Sequence, residues 1–131
     1  MNTSPVFRSL AAACLLLTAS FLTSGCAVVA VGAIVGAVAY LEGELKAEVN
    51  GGIHEVVAAT KSAARDLRLK PYSQTGDENG ATMMATRADG ERVVIRLVPR
   101  HYGTTLVRIR AGSIGDEAYS RKVLRQIERY L

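Results

Sequence analysis

The sequence predicts an α+β fold, a two-layer sandwich in which an antiparallel sheet of four to five strands carries two helices on one face. Several short segments alternate between apolar and polar residues, two longer segments repeat apolar residues at helical spacing, and Gly-rich turns separate them. The elements come in the order strand, helix, three or four strands, helix. An N-terminal signal or apolar helix precedes them.

An export signal is predicted over residues 1–25. Arg8 precedes a long apolar stretch, and the small residues Ser24 and Gly25 come immediately before Cys26. A basic start, an apolar stretch and small residues, in that order, are typical of a cleavable signal. We therefore expect the folded part of the chain to be exported.

Residues 22–26 read Leu-Thr-Ser-Gly-Cys and resemble the lipobox of a bacterial lipoprotein precursor. In such precursors the cysteine thiol receives a diacylglyceryl group, and the acylated cysteine becomes the new N-terminus. Thr23 departs from the commonest residue at its position, which is Leu. The resemblance implies that Cys26 carries acyl chains such as palmitate and anchors the protein to a membrane.

An uncleaved anchor helix is the alternative, since residues 10–41 are almost continuously apolar and about 20 such residues span a bilayer. Arg8 precedes this run, and Glu42 and Glu44 follow it. The positive-inside rule therefore places the C-terminal part across the membrane in both cases. We expect a cell-envelope protein under either interpretation.

Residues 26–41 are predicted to form a membrane-proximal segment that is rich in Gly, Ala and Val and carries no charge. Gly32 and Gly36 have the G-x-x-x-G spacing, which places both on one helix face and lets two helices approach closely in lipid. A simple membrane-associated helix is the other interpretation, because this spacing arises easily in a stretch of such composition.

Residues 42–131 are predicted to form one small α+β domain in the periplasm. Cys14 and Cys26 are the two cysteines, so this domain contains neither a thiol nor a disulfide. Once Arg8 is removed with the signal, 15 basic residues remain against 12 acidic ones, a net charge of +3. This mild charge and the export signal argue against a nucleic-acid partner and are more compatible with an anionic lipid or glycan.

The first strand is predicted over residues 44–49, which alternate strictly between polar and apolar. A helix follows over residues 53–67, and Pro71 prevents its continuation. Residues 69–75 are predicted to be a short edge strand, because a proline within a strand belongs at an edge, and residues 76–80 form a turn. The apolar stripe of the helix consists of Ile53, Val56, Val57, Thr60, Ala64 and Leu67.

Residues 81–87 and 92–98 are predicted to form a β-hairpin, because an Asp-Gly dipeptide lies between them. Pairing Ala88 with Glu91 sets the register of the two strands. This register predicts an inward apolar face made of Met84, Thr86, Val93 and Ile95. It places on the outward face Met83, Arg87, Arg92 and Arg96.

A further strand is predicted over residues 104–111, with Thr105, Val107 and Ile109 directed inward. A final helix begins near residue 116, where Asp116 is well placed as its N-terminal cap. One side of this helix is predicted to consist of Tyr119, Val123, Ile127 and Tyr130.

Taken whole, the chain resembles a family of small, uncharacterised bacterial lipoproteins classed as a domain of unknown function. The resemblance is carried by Gly25-Cys26-Ala27-Val28-Val29, Gly43-Glu44-Leu45-Lys46-Ala47, Arg87-Ala88-Asp89-Gly90, Val94-Ile95-Arg96-Leu97 and Gly115-Asp116-Glu117-Ala118 with Ser120-Arg121. It covers nearly all of the chain and implies an envelope location without an assigned activity. Because Ala27 rather than Asp follows the lipobox cysteine, it also implies the outer membrane, with the domain facing the periplasm.

The sequence contains no recognisable catalytic constellation, and we expect neither an enzyme nor a bound cofactor or metal. His54 and His101 are the two histidines, far apart in the chain, and the domain offers no cysteine to complete a zinc site. The serines and threonines lack a visible His-and-acid arrangement, and no Gly-rich phosphate loop follows a strand.

The remaining candidate site is a cationic face of the sheet. In the predicted register, the side chains that project away from the helices include Arg92, Arg96, Arg108 and Arg110. Guanidinium groups on neighbouring strands suit bidentate capture of phosphate or carboxylate, which favours a binding module for an anionic envelope lipid or glycan. A structural or protein-interaction module, held at the membrane by its N-terminal lipid, is the leading hypothesis. The plainest interpretation is that the arginines cover a solvated sheet face.

Overall fold

The computed structural model describes residues 36–131, in which a six-stranded antiparallel sheet carries two helices on one face. The strands are β1 (Ala39–Leu41), β2 (Glu44–Asn50), β3 (Lys70–Asp77), β4 (Gly80–Thr86), β5 (Arg92–Pro99) and β6 (Thr104–Ala111). The helices are α1 (Ile53–Asp66) and α2 (Glu117–Glu128), with a short 3-10 helix at His101–Gly103. The order across the sheet is β1-β2-β6-β5-β4-β3, which confirms the α+β class.

The core lies between one face of the sheet and the two helices. In each central strand every second residue is buried, as expected when one face of an antiparallel sheet packs and the other meets water. Strands β2, β5 and β6 bury Leu45, Ala47, Val49, Val93, Ile95, Leu97, Thr105, Val107, Ile109 and Ala111. The helices cover them with Val56, Ala59, Thr60, Ala63, Ala64, Ser120, Val123, Leu124 and Ile127.

The strand directions give the sheet two distinct ends. At the Thr104 end, β2 finishes with Asn50, β5 finishes with Pro99 and β6 begins with Thr104. At the Ala111 end, β6 finishes with Ala111 beside Val93 near the start of β5. A strand of eight residues such as β5 separates these ends by roughly 25 Å.

The sheet has six strands, whereas the sequence predicted four to five. The additional strand is β1, which pairs with β2 through a two-residue turn at Glu42 and Gly43. Both turn residues have positive φ, +54° and +78°, as a primed hairpin turn requires. The sequence signal was weak because Glu is not a preferred residue there and because β1 has only three residues. The predicted boundary at residue 42 therefore falls inside this hairpin.

The predicted register of the β4–β5 hairpin is wrong by one residue. Ala85 pairs with Val93 and Met83 with Ile95, so Met83 and Ala85 face the core while Met84 and Thr86 face outward. The loop is longer than a two-residue turn, since the Gly90 N–H donates to the Arg87 carbonyl at 3.0 Å and the Arg87 N–H donates to the Glu91 carbonyl at 2.8 Å. Gly90, with φ at +88°, supplies the extra residue of a bulged loop, and a one-residue shift reverses the faces of β4.

The other predicted elements are present, with adjusted ends. Strand β3 lies at an edge, as predicted from Pro71, and its register shifts between Pro71 and Ser73. The carboxylate of Asp116 accepts the Tyr119 N–H at 2.9 Å, which confirms the predicted cap of α2. Tyr130 does not continue the buried side of α2, because the helix ends at Glu128 and Tyr130 is exposed.

Several predictions fall on residues outside 36–131, namely the signal, the lipidation site Cys26 and Gly32. Gly36 is the first described residue and lies in a bend with φ at +111°. Within the described range, no helix has both the length and the apolar character needed to cross a bilayer.

The loop between β5 and β6 presents a fully exposed aromatic side chain in a strained backbone conformation. Tyr102 has φ at +62° and ψ at +28°, a left-handed conformation that L-residues other than Gly adopt at a cost. The loop is nevertheless held firmly. The Gly51 N–H donates to the Gly103 carbonyl at 3.0 Å, and the Arg100 N–H donates to the Thr104 carbonyl at 2.8 Å.

We expect Tyr102→Gly to raise the free energy of unfolding, by up to about 1 kcal/mol, because it relieves the left-handed strain and removes no buried contact. Ile114→Gly is the matched control, since Ile114 is also exposed but is not among the residues with positive φ. The control should lower stability by about 0.5 kcal/mol through the greater freedom of the unfolded chain. Urea unfolding curves measure both, and a loss of stability in Tyr102→Gly would contradict the assignment of strain.

Candidate functional site

The structure places all four predicted arginines on the outward face of the sheet. Arg92 and Arg96 lie on β5, while Arg108 and Arg110 lie on the neighbouring strand β6. Arg96 and Arg108 are direct partners across the two strands. Two like charges directly opposite each other are unfavourable unless a third group neutralises them.

Glu44 supplies that neutralising group. The Arg108 guanidinium donates from Nε and Nη2 to Glu44 Oε2 at 3.0 and 2.6 Å, and Arg96 Nη1 donates to Glu44 Oε1 at 3.3 Å. The Glu44 side chain is only 10% exposed, so the carboxylate is largely shielded from water. Two of the four arginines are therefore engaged within the domain and are poorly placed to bind a ligand.

The other two arginines have no carboxylate partner among residues 36–131. Arg110 Nη2 donates to the Ser113 carbonyl at 3.2 Å. The Arg92 side chain makes no hydrogen bond or ion pair with any residue in the described part of the chain. Because Arg110 pairs with Val94, two residues from Arg92 on the same face, the two guanidinium groups are diagonal neighbours.

Arg92 and Arg110 line an open groove of about 610 Å³ at the Ala111 end of the sheet. We call it the Arg92–Arg110 groove; its other main lining residues are Tyr72, Thr86, Glu91, Val94 and Ser113. It combines an exposed aromatic ring, a half-buried aliphatic side chain and two cations. Such a surface can hold a carboxylate or a phosphate through the guanidinium groups while apolar atoms pack beside Tyr72 and Val94.

Glu91 adds one acidic group to the lining of this groove. With two arginines and one glutamate, the groove retains a net positive charge among its lining residues. A ligand that offers both an acidic group and a donor, as a peptide backbone does, can use the arginines and the glutamate together.

Arg87 does not belong to the outward face, where the predicted register had placed it. Its guanidinium lies over the Tyr119 ring at 3.9 Å and pairs with Asp89 at 2.8 Å and with Asp116 at 3.2 Å. It joins the β4–β5 loop to the start of α2. The hydrogen bond from the Tyr119 N–H contributes most to lowering the pKa of the Asp116 carboxyl group, and the Arg87 guanidinium lowers it further. Burial raises the pKa of the Tyr119 hydroxyl group.

The two histidines do not form a metal site with other residues. His54 and His101 are both exposed, and no group of three or more His, Cys, Asp or Glu side chains within residues 36–131 could hold a metal ion. A second depression, of about 440 Å³, lies between α1 and the β3–β4 edge. Its apolar lining includes Ile53, Val57 and Leu97.

Glu44→Gln should lower the free energy of unfolding by about 1–2 kcal/mol, because it removes charge-assisted hydrogen bonds to two half-exposed guanidinium groups. Glu117→Gln is the matched control. Its carboxylate also accepts from an arginine, Arg121 at 2.7 Å, but both side chains are solvated, so we expect a loss below about 0.5 kcal/mol. Chemical denaturation measures both variants, and equal losses would contradict the special role of Glu44.

Two comparisons with known proteins bear on these residues. Among curated proteins, none matches the chain. Residues 9–130 match the family described as "Protein of unknown function (DUF3568)", which agrees with the resemblance to a domain of unknown function. The match includes residues 36–130 of the described domain, and with them both arginine pairs and Glu44. The chain therefore belongs to the DUF3568 family.

Proposed function

We propose that this chain is a lipid-anchored protein of the bacterial cell envelope whose folded domain is a binding module without catalytic activity. Cys26 carries the anchor, and the Arg92–Arg110 groove binds an acidic group of a partner protein. The lipobox at residues 22–26 supports the anchor, and Ala27 after the cysteine supports an outer-membrane location facing the periplasm.

One observation carries the proposed binding role. The Arg92 guanidinium lacks a partner within residues 36–131, although Glu44 on the same face engages two other arginines. If Arg92 served only for packing, its position beside Arg110 would be unfavourable, because the two positive charges repel each other. An incoming carboxylate or phosphate removes this repulsion and forms bidentate hydrogen bonds.

The composition of the groove favours a protein as the partner. Tyr and Arg are the residue types that most often dominate the binding energy at protein interfaces. Tyr72, exposed by 56%, lies on the edge strand β3, whose backbone is also open to an incoming segment. An acidic segment that passes along this edge can place a carboxylate between Arg92 and Arg110 while an apolar side chain covers Tyr72.

An anionic envelope lipid or glycan is the second candidate, because a phosphate group suits the two guanidinium groups equally well. The binding of such a ligand would depend more on charge than the binding of a protein segment. It should therefore weaken more steeply as the salt concentration rises. The groove lies at the Ala111 end, whereas the chain enters β1 from the other end. A lipid of the anchoring membrane would therefore lie farther from the groove than a ligand from the aqueous space of the envelope.

The anchor makes a prediction of its own. The mature protein should lack the first 25 residues and carry acyl chains on Cys26, so its intact mass should match the lipidated form. Cys26→Ser should leave the unprocessed chain without acyl chains, and Cys14→Ser, which also removes a thiol but lies within the signal, is the matched control. A mass that retains residues 1–25 in the wild type would instead support an uncleaved anchor helix.

Photo-crosslinking in living cells tests the groove. We expect benzoylphenylalanine at Tyr72 to give one protein adduct, while the same residue at Tyr130, which is similarly exposed on the helix side, should not give that adduct. The adduct should be lost in the double variant Arg92→Gln/Arg110→Gln. It should be retained in Arg125→Gln/Arg129→Gln, which also removes two positive charges but does so at the C-terminal end of α2.

An adduct with the mass of a lipid or glycan would favour the second candidate. An adduct that persists in Arg92→Gln/Arg110→Gln, or no adduct from the folded and membrane-bound protein, would contradict a binding role for the two arginines.

A further inference from the structure

The direction of β1 shows from which end the chain enters the domain. Ala39 pairs with Lys46 and Leu41 pairs with Glu44, so β1 runs toward the Ala111 end. Residues 36–38 precede it on the side of the Thr104 end, and Val38 packs against the core. The described part of the chain therefore enters β1 from the side of the Thr104 end.

The distance to the proposed anchor is short. Nine residues, Ala27 to Val35, separate Cys26 from Gly36, and none of them is charged. Even fully extended, this stretch reaches at most about 35 Å. It also lacks the hydrophilic, self-repelling charges that extend a linker away from a membrane. An anchor at Cys26 therefore keeps Gly36 within about 35 Å of the bilayer, and the direction of β1 makes the Thr104 end the nearer one.

The Thr104 end also carries the most exposed aromatic residue of the described domain. Tyr102 projects from the β5–β6 loop with full exposure, between the exposed residues His101 and Gly103, and Arg100 lies beside them. Its left-handed φ destabilises the loop locally, and its ring contributes nothing to the core. Strained residues that persist without a role in packing are found preferentially at binding sites.

The loop presents this ring on a fixed support. The Thr104 hydroxyl lies within hydrogen-bond distance of two acceptors, the Glu48 carboxylate and the His101 carbonyl, the latter at 3.1 Å, and its one proton is shared between them. The Gly103 carbonyl accepts from Gly51, so the loop is joined to the end of β2 as well. A ring held in this way loses less conformational entropy on binding than one on a free loop.

We infer that the Thr104 end of the sheet rests on the bilayer that holds Cys26, with the Tyr102 ring at the level of the lipid headgroups. This inference rests on the proposed anchor. Tyrosine favours the membrane interface because its ring is apolar and its hydroxyl remains hydrated. Arg100 is exposed two residues before Tyr102 in the chain, and its guanidinium group can bind a lipid phosphate.

Two acidic residues form one corner of the same end. Asp77 and Glu78 lie at the turn between β3 and β4, which is three strands from β6 and so about 14 Å away. The β5–β6 loop with Tyr102 lies nearer to β1, where the chain enters, and is the part expected to contact lipid.

This orientation gives the domain a proximal and a distal end. The Arg92–Arg110 groove lies at the Ala111 end and faces away from the anchoring bilayer. Its ligand is then delivered from the aqueous space of the envelope. In this orientation the Thr104 end contacts the membrane, and the Ala111 end binds the partner.

Tryptophan fluorescence tests the orientation directly, because the chain contains no tryptophan. The full lipidated chain, as Tyr102→Trp, is reconstituted into vesicles of phosphatidylethanolamine and phosphatidylglycerol, with and without bromine on the acyl chains near the headgroup. Ile114→Trp is the matched control, since Ile114 is 88% exposed in the loop at the Ala111 end. We expect a blue-shifted emission that brominated lipid quenches for Tyr102→Trp, and an emission unchanged by bromine for Ile114→Trp.

Flotation with the vesicles and the intact mass are measured on the same samples. A floating, acylated Tyr102→Trp protein whose emission is not quenched would overturn the orientation and leave the anchor standing. Quenching of Ile114→Trp alone would show the opposite orientation. A protein that carries no acyl chain and does not float would overturn the anchor, and the orientation with it.

Discussion

The pairing of β2 with β6 is the constraint on which the rest of the structure depends. These strands are 54 to 64 residues apart in the chain, yet they are neighbours in the middle of the sheet. Their pairing buries Leu45 beside Ile109 and closes the core beneath the two helices. Because so distant a contact costs considerable loop-closure entropy, the burial of apolar residues on both strands must offset that cost.

The same pairing organises the outward face. It brings Glu44 from the start of the domain beside Arg108 and within reach of Arg96. The carboxylate engages one pair of these arginines, whereas the other pair has no carboxylate partner among residues 36–131. It also places the β1–β2 hairpin and the β5–β6 loop so that the chain enters the domain at the end where Tyr102 projects.

The sequence predicted most local elements because their causes are local. The alternation in β2, the helical spacing of Val56 and Ala64, and the acidic cap Asp116 each depend on residues within a few positions. Strand β1 was missed because three apolar residues cannot be distinguished from the apolar segment before them. The hairpin register failed because an Asp-Gly pair fits both a two-residue turn and a bulged loop around Gly90.

The candidate site was predicted only in part. Alternation along β5 and β6 was enough to place Arg92, Arg96, Arg108 and Arg110 on one face. The role of Glu44 could not be predicted, because it depends on which strand lies beside β6 rather than on any spacing in the chain. The signal was an acidic residue at an outward position of an arginine-rich face, and it can be recognised only once the strand order is known.

The central claim is that Glu44 engages Arg96 and Arg108, whereas Arg92 and Arg110, which have no carboxylate partner among residues 36–131, bind an acidic group. Arginine side-chain Nε–Hε signals report this directly in an NMR titration of the full lipidated chain, held in a lipid nanodisc, with inorganic phosphate. The account predicts that the signals of Arg92 and Arg110 shift together while those of Arg96 and Arg108 stay in place. Equal or larger shifts of Arg96 and Arg108 would contradict it.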